Sequence, residues 1–277
     1  MRLTRYWVLA PLLALAAGSL SAQQAAPSTH SMDDLNWMEF RRLVPSQIKT
    51  VILTTGTLEP HGVINNGADN TAPKRMAEVI APRIHALIAP HIPYGVTGSM
   101  SPYPGALHIP EEAYRPYVRA VLLGLVKNEF RNIIIINGHG GPQTAVLQAV
   151  AGEVALEKNV NTLVVNWWSA AGEVVKEVFG ENGGHAGINE TAYIQAIDPK
   201  LVRKEWYSRD LALANPAPGA WSAVPFPATI GLYEPGQGYP KDFDQKKAEV
   251  YFHKVNDRIL ALIQDVLKRW EAAGFIK

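Results

Sequence analysis

A short loop in the first third of the chain contains side chains suited to metal chemistry. Glu59 and His61 are two residues apart, so on an extended backbone their side chains point to the same side. Asp69 can fold back toward them after a Gly- and Asn-rich turn. Two carboxylates and an imidazole suit zinc, manganese or iron. A polar surface loop explains the same residues without a ligand, and their spacing alone leaves both interpretations open.

A second candidate ligand, His139, lies in the segment NGHGG at residues 137–141. A run of apolar residues, typical of a buried strand, leads directly into this loop. The flanking glycines, Gly140 among them, let the backbone approach a ligand closely, and the following helix offers a positive N-terminus. A tight turn with an incidental His is the alternative. A phosphate-binding loop is disfavoured because no Walker-type Lys follows and the glycine pattern is incomplete.

The third segment, GGHAG at residues 183–187, contains His185 and is followed by Glu190. We expect Glu190 in the first turn of a helix, facing back toward the loop. A carboxylate stabilised by the helix dipole would account for Glu190 alone. However, three of the eight His residues now occur in Gly-flanked loops at predicted strand-to-helix junctions. This coincidence favours a shared metal site.

Composition excludes several other classes of site. The chain has no Cys, so disulfides, thiolate ligands and thiol nucleophiles are excluded. The GxSxG elbow of serine hydrolases is absent, and no convincing strand precedes Gly98-Ser99-Met100. Basic and acidic residues nearly balance, at 26 and 25, with no basic run. We therefore expect no nucleic-acid partner and no binding to anionic membranes.

The first 22 residues have the order of a secretory signal peptide. Arg2 and Arg5 precede an apolar run over residues 6–17, and small residues follow up to Ala22. The apolar run is short for a membrane span, although a retained anchor is the alternative. We predict a signal peptide at 1–22, a linker at 23–32 and a single folded domain at 33–277. The expected location is the periplasm or the exterior of the cell.

Elements that would position these loops alternate between strand and helix along the chain. Such alternation predicts an α/β fold with a mostly parallel sheet covered on both faces. Ligand sites in such sheets lie beyond the carboxyl ends of the strands, where all three loops are predicted. Predicted strands are 49–55, 87–92, 132–136 and 161–165; predicted helices are 33–43, 71–84, 111–128, 142–157, 189–196 and 242–272; long loops are predicted at 94–110 and 216–238.

The order of these segments resembles the creatininase family. Its members carry Glu-x-His-Gly, a downstream Asp, Asn-Gly-His and Gly-His-(Ala/Gly)-Gly-x-x-Glu-Thr. The corresponding segments here are TLEPHG at 57–62, Asp69, NGHGG at 137–141 and GHAGINET at 184–191. The Tyr103-Pro104-Gly105 turn is similar to the family's Phe-Pro-Gly turn, and the resemblance runs from about Met38 to Val202.

The resemblance implies a three-layer α/β/α sandwich assembled as a homo-oligomer, usually a hexamer. It implies two divalent metals per chain, with Asp69 bridging them and with Glu190 as a further ligand or close neighbour. His185 corresponds to a residue assigned to proton transfer, and Trp168 to an aromatic that closes over substrate. The implied metal ligands are Glu59, His61, Asp69, His139 and Glu190; the implied catalytic residues are His185 and Glu190; the expected substrate-binding residues are Trp168, Trp167, Tyr103 and Gly140.

The expected reaction is hydrolysis of a C–N bond in a small cyclic or linear amide. A metal lowers the pKa of a bound water and polarises the amide carbonyl. The resulting hydroxide attacks the carbonyl carbon, and His185 is suited to pass a proton to the leaving nitrogen. Trp167, Trp168 and Tyr103 are expected to wall the pocket, although core packing explains Trp167 equally well.

Three departures from the family pattern leave the substrate open. The spacing from His61 to Asp69 is one residue shorter than is common in the family. Creatininase itself has a metal-binding Glu where this chain has Gly141, and many relatives have a Glu where it has Ile188. The second metal is therefore the weaker part of the prediction. An exported binding protein without turnover and a peptide-trimming metallopeptidase are the alternatives.

Overall fold

The computed structural model describes residues 27–211, 213–214, 221–227, 232–233 and 243–275. The signal peptide predicted at 1–22 lies outside these residues, as does most of the predicted loop 216–238. Within the part of the chain that is described, no helix has the length and apolar character needed to cross a bilayer.

Four parallel strands form the central sheet. They are β1 (Thr50–Thr55), β2 (Ala86–Ile88), β3 (Asn132–Asn137) and β4 (Asn161–Asn166), in the spatial order β2-β1-β3-β4. The strand predicted at 87–92 is shorter than expected because Pro90 has no N–H to donate to a ladder. A separate pair of short parallel strands is formed by β5 (Leu213–Ala214) and β6 (Leu232–Tyr233).

Eight α-helices connect and flank the strands. They are α1 (Trp37–Leu43), α2 (Ala68–Ile80), α3 (Glu111–Lys127), α4 (Gly141–Lys158), α5 (Trp167–Ala170), α6 (Gly172–Phe179), α7 (Ile188–Ile197) and α8 (Gln245–Ala272) within the described residues. Helix α2 begins earlier than predicted, so Asp69 lies in its first turn rather than in the preceding loop. Helices α5 and α6 were not predicted.

Alternate residues of the central strands enter two separate cores, as expected for a sheet covered on both faces. Ile52 and Ile134 pack in the core formed with α2, α7 and α8. Leu53 and Ile133 pack in the core formed with α1, α3 and α4. The arrangement confirms the predicted three-layer α/β/α sandwich. Its parallel strands direct the loops after β1 and β3 to the carboxyl edge of the sheet. The loop at 183–187 lies between α6 and α7, so the predicted strand-to-helix junction there was wrong.

Candidate metal centre

Four elements deliver the five predicted ligands to the carboxyl edge. Glu59 and His61 follow β1, Asp69 lies in the first turn of α2, and His139 follows β3. Glu190 lies in the first turn of α7, as predicted, and its Oε2 accepts a hydrogen bond from Ala186 N at 2.6 Å. The structure brings all five residues together.

The loop after β3 is fixed by the last residue of the strand. The Asn137 side chain donates to the carbonyl of His139 at 2.6 Å and accepts from its N–H at 3.2 Å. Gly138 permits the close approach of α2, because a Cβ there would lie 1.9 Å from the carbonyl oxygen of Asp69. Glycine is therefore required at this position for His139 and Asp69 to meet.

Three imidazoles in the cluster are oriented in the same way. His61 Nδ1 lies 3.1 Å from the carbonyl of Glu59, and His139 Nε2 lies 3.1 Å from that of Val96. His185 Nε2 lies 2.8 Å from the carbonyl of Pro60. Since a carbonyl only accepts, each of these ring nitrogens is assigned as the N–H donor. Metal-binding His residues are commonly oriented by such a bond.

The opposite ring nitrogens face carboxylates. Asp69 lies between two of them, with Oδ1 at 3.1 Å from His61 Nε2 and Oδ2 at 2.9 Å from His139 Nδ1. Glu59 Oε1 is 3.2 Å from His139 Nδ1 and 3.3 Å from His185 Nδ1. Glu190 Oε2 is 3.6 Å from His61 Nε2. In each of these pairs an unprotonated ring nitrogen and a carboxylate oxygen would both present lone pairs to each other. A proton or a cation must therefore lie between them.

The potential ligand atoms form overlapping groups within metal-binding reach of one another. One group is Glu59, Asp69 and His139, and another is His61, Asp69 and Glu190. Asp69 belongs to both, which matches its predicted bridging role. A further group joins Glu59, His61 and His185. The described residues can therefore provide neighbouring positions for two ions.

The donor set fits a divalent metal by an independent criterion. Glu59 Oε2 is buried and has no hydrogen-bond partner within the described part of the chain, and buried His61 Nε2 faces Asp69 Oδ1 at 3.1 Å without the geometry of a hydrogen bond. A buried carboxylate oxygen without a partner is costly. A cation at the centre of the cluster would satisfy both atoms.

Without a metal, the cluster retains protons. Burial alone would lower the pKa of His61, but the charge of Asp69 outweighs it and raises the pKa to about 10. For His139, burial is likewise outweighed by Glu59 and Asp69, and the pKa is raised well above its ordinary value. Burial, opposed by His61 and assisted by Asp69, raises the pKa of Glu190 to about 7. A cation entering the site would therefore displace protons.

The pKa values of His185 and Asp69 are lowered rather than raised. Burial and the adjacent His61 lower the pKa of His185 below its ordinary value. Burial would raise the pKa of Asp69, but His61 and His139 outweigh it and hold the pKa below its ordinary value. At neutral pH the cluster thus combines a neutral imidazole at its edge with an ionised carboxylate at its centre.

A cavity of about 700 Å³ opens onto the cluster. Glu59, Asp69, His139, His185 and Glu190 line one side of it. The described residues that complete the lining are Thr97, Gly98, Ser99, Met100, Gly140, Gly141, Pro142, Trp168, Gly172, Val175, Asn182, Gly183, Gly184, Asn189 and Phe226. This volume is typical of a ligand site.

The predicted substrate-binding residues divide into two sets. Trp168 and Gly140 line the cavity. Trp167 is instead a core residue, 2% exposed, with its ring 5.1 Å from that of Tyr193. Tyr103 is also absent from the lining, but its hydroxyl donates a hydrogen bond to the carbonyl of Phe226. Trp167 and Trp168 are consecutive residues of the short helix α5, so their side chains point about 100° apart around the helix axis and only one of them reaches the cavity.

Sequence reasoning missed Phe226, Val175 and the Asn residues of the lining. Val175 belongs to α6, whose spaced valines in GEVVKEVF were a usable helical signal. Asn189 Oδ1 accepts a hydrogen bond from Gly184 N at 2.9 Å and so shapes the loop that carries His185. Phe226 had no such signal, because its contact with the cavity depends on a segment distant in sequence.

Two curated relatives share part of their length with this chain. A 3-dehydro-scyllo-inosose hydrolase from Thermotoga maritima is 30% identical over 175 residues, which are 58% of this chain and 54% of the relative. A mycofactocin precursor peptide peptidase from Mycobacterium ulcerans is 26% identical over 188 residues, covering 63% and 67%. The chain thus spans about half the length of the first relative and two thirds of the second.

Solved structures of creatininase share the fold. Creatinine amidohydrolase (creatininase) superimposes with a TM-score of 0.73 at 20% identity, covering 86% of this chain and 98% of that one. A manganese form of creatininase gives a TM-score of 0.72 at 19% identity over the same shares. The family model described as creatinine amidohydrolase matches residues 33–263. The chain therefore belongs to the creatininase family of amidohydrolases.

Proposed function

We propose that this protein is a metal-dependent hydrolase that cleaves a C–N bond of a cyclic or linear amide. The observation that carries the proposal is the orientation of three imidazoles. His61, His139 and His185 each direct one ring nitrogen to a backbone carbonyl and the other toward a carboxylate. This pattern is typical of residues that hold a metal.

Two adjacent positions would hold the metals. Glu59, Asp69 and His139 suit one ion, and His61, Asp69 and Glu190 suit the other. A divalent metal bound there lowers the pKa of a water ligand toward neutral pH and polarises a substrate carbonyl. We propose zinc, manganese or iron, since the donors are nitrogen and oxygen only.

His185 is the proposed proton carrier. Its Nε2 donates to the Pro60 carbonyl, so Nδ1, which lies 3.3 Å from Glu59 Oε1, carries the lone pair that can accept a proton. That nitrogen can receive the proton of the attacking water and donate it to the leaving nitrogen of the amide. Glu190 also lines the cavity, where it can orient the water through its carboxylate.

Metal analysis combined with an amide screen tests this proposal. Untreated protein should contain close to two metal ions per chain, measured by elemental analysis, and should hydrolyse at least one amide in a panel of lactams, formamides and short peptides. Metal-free protein as isolated, with no gain of activity after adding zinc, manganese or iron, would refute it. Bound metal with ligand affinity but no turnover would instead favour a binding protein of the same fold.

A peptide-trimming metallopeptidase is the second candidate. It is supported by the similarity to a precursor peptide peptidase and by a cavity of about 700 Å³, which accommodates more than a single small ring. Short peptides with free and blocked termini separate the two candidates. Cleavage confined to peptides would favour the peptidase, and cleavage of lactams or formamides would favour the amidohydrolase.

Export and assembly are further proposals. The N-terminal pattern supports a cleaved signal peptide and a periplasmic or secreted enzyme, and the family resemblance supports a hexamer. Sequencing the N-terminus of the mature chain tests the first, which fails if that chain begins at Met1. Light scattering of purified protein tests the second, which fails if the mass is that of one chain.

A further inference from the structure

Part of the cavity lining is apolar, in contrast to the carboxylates and imidazoles of the candidate metal centre. Met100, Pro142, Trp168, Val175 and Phe226 contribute its apolar side chains. They come from separate segments: the 94–110 loop, the start of α4, α5, α6 and the described stretch 221–227. None of the described residues that line the cavity is a Lys or an Arg.

Phe226 is held at the cavity by the loop that contains Ser99 and Tyr103. Its N–H donates to the carbonyl of Ser99 at 3.1 Å, and its carbonyl accepts from the Tyr103 hydroxyl. Its ring stacks on that of Trp221, with centroids 5.1 Å apart and an interplanar angle of 14°. These contacts fix the backbone on both sides of Phe226 and restrict its ring by stacking.

Trp168 connects this apolar side to the candidate metal ligands. A Cβ on Gly140 would lie 3.5 Å from Trp168 Cζ2, so the indole lies against the loop that carries His139. Trp168 is therefore adjacent to the reacting end of the cavity. Phe226, on a segment from the last quarter of the chain, extends the apolar lining contributed by the earlier loops.

We propose that Trp168 and Phe226 bind an uncharged aromatic or bulky apolar substituent of the substrate. This inference rests on the proposed function, because the metal centre would hold the carbonyl end of the same molecule. Preferred substrates are amides with such a substituent rather than small unsubstituted rings. Anionic substituents are disfavoured, because a carboxylate among these apolar side chains would be buried without a Lys or Arg partner among the described lining residues.

Hydroxamic acids are suitable probes, because their chelating group binds metals whatever substituent it carries. Calorimetric titration of the metal-loaded protein would give the affinities for acetohydroxamic, benzohydroxamic and 4-carboxybenzohydroxamic acid. The phenyl ring should increase affinity about tenfold over the methyl group, as expected for burial of an aromatic surface. The added carboxylate should remove most of that gain.

Two variants and one control locate the effect. Phe226→Ala should remove most of the phenyl preference, since only Trp168 remains to contact the ring, and it should change the affinity for acetohydroxamic acid little. Tyr103→Phe removes only the hydroxyl that holds Phe226 and should reduce the preference about two- to threefold. Phe275→Ala removes an exposed Phe whose carbonyl accepts from Asn161 at the amino edge of the sheet, and it should retain the full preference.

The outcomes separate this inference from the metal centre. If acetohydroxamic acid binds but the phenyl preference is absent, the inference is refuted while the proposed function stands. The same holds if Phe226→Ala retains the full phenyl preference. If acetohydroxamic acid does not bind metal-treated protein, the proposed metal centre fails and the inference fails with it.

Discussion

The two edges of the central sheet carry the same residue types, a Thr followed by two Asn, and differ in the loops that lie beyond them. At the amino edge, Thr50, Asn132 and Asn161 are neighbours in register. Asn132 donates to Thr50 Oγ1 at 3.2 Å, and Asn161 donates to Asn132 Oδ1 at 2.8 Å. These side chains bond to one another, and Asn161 also donates to the carbonyl of Phe275 at 3.3 Å, so the row closes the edge without requiring a ligand.

At the carboxyl edge, Thr55, Asn137 and Asn166 form the equivalent row. Thr55 donates to Asn137 Oδ1 at 3.2 Å, and Asn137 donates to Asn166 Oδ1 at 2.8 Å. Asn137 also bonds to both backbone groups of His139, beyond which carboxylates face imidazoles. The row of Thr and Asn side chains therefore stabilises the fold at both edges. Only the carboxyl edge can do chemistry, because its loops place carboxylates and imidazoles beyond the row.

Loss of a ligand at the carboxyl edge should give the largest effect. Asp69→Asn removes the carboxylate shared by both candidate ions, and His139→Ala removes a ligand of one of them. In each variant metal affinity should fall by more than about 100-fold, beyond the loss typical of supporting residues. Elemental analysis after dialysis measures the result. Asn132→Ala is the control and should retain its metal. Unchanged metal content in both ligand variants would refute the metal centre.

The pH dependence of stability should also distinguish the edges. In metal-free protein the raised pKa values of Glu190, about 7, and His61, about 10, mean that the folded state binds more protons than the unfolded state. Stability should therefore fall as the pH rises from about 6.5 to about 10, whereas below pH 6.5 the lowered pKa values of His185 and His91 act in the opposite direction.

Bound metal replaces those protons, so metal-loaded protein should not lose stability in the same way. Thermal unfolding across this pH range, with and without a chelator, measures the difference. Asn132→Ala should keep the slope of the metal-free protein, because amides and hydroxyls at the amino edge do not titrate. A metal-free protein whose stability increases from pH 6.5 to 9 would contradict the prediction.

Gly138→Ala should affect both stability and metal binding. Its Cβ would overlap the carbonyl oxygen of Asp69, so α2 and the His139 loop must separate, at a cost of about 3 kcal/mol in the free energy of unfolding. Gly124→Ala is the matched control, because nothing lies within 4 Å of a Cβ in this part of α3. It should stabilise the helix by about 0.5–1 kcal/mol. Chemical denaturation measures both, and equal effects would refute the steric argument.

The smallest predicted effects come from the two rows themselves. Asn137→Ala and Asn132→Ala should each cost about 1–3 kcal/mol of stability, because each leaves buried polar partners unsatisfied. Only Asn137→Ala should also weaken metal binding, by about 10- to 100-fold, because it supports the His139 loop. Parallel denaturation and metal titration test this pair. Equal metal affinity in both variants would remove the distinction between the edges.

Much of the fold followed from periodicity. The strand runs at 50–55 and 132–137 are continuous and apolar, and the long helices α3, α4 and α8 have clear spacing, so they were predicted to within a few residues. Helices α5 and α6 were missed because two Trp residues after a strand suggested a pocket wall rather than a helix start. Asp69 was assigned to a loop because Gly67 and Asn residues suggested a turn that continues past it.

The ligand types and their order were determined by the sequence. The motifs around Glu59, His139 and Glu190 are local, and a parallel sheet directs the loops after β1 and β3 to one edge, whereas the loop before Glu190 connects two helices. Their pairing was decided by tertiary structure alone. Asp69 bridges His61 and His139 because Gly138 lets α2 approach, and Phe226 reaches the cavity because a distant loop holds its backbone. Contacts between segments remote in sequence depend on how the layers pack, and no local sequence pattern encodes how close those segments come to each other.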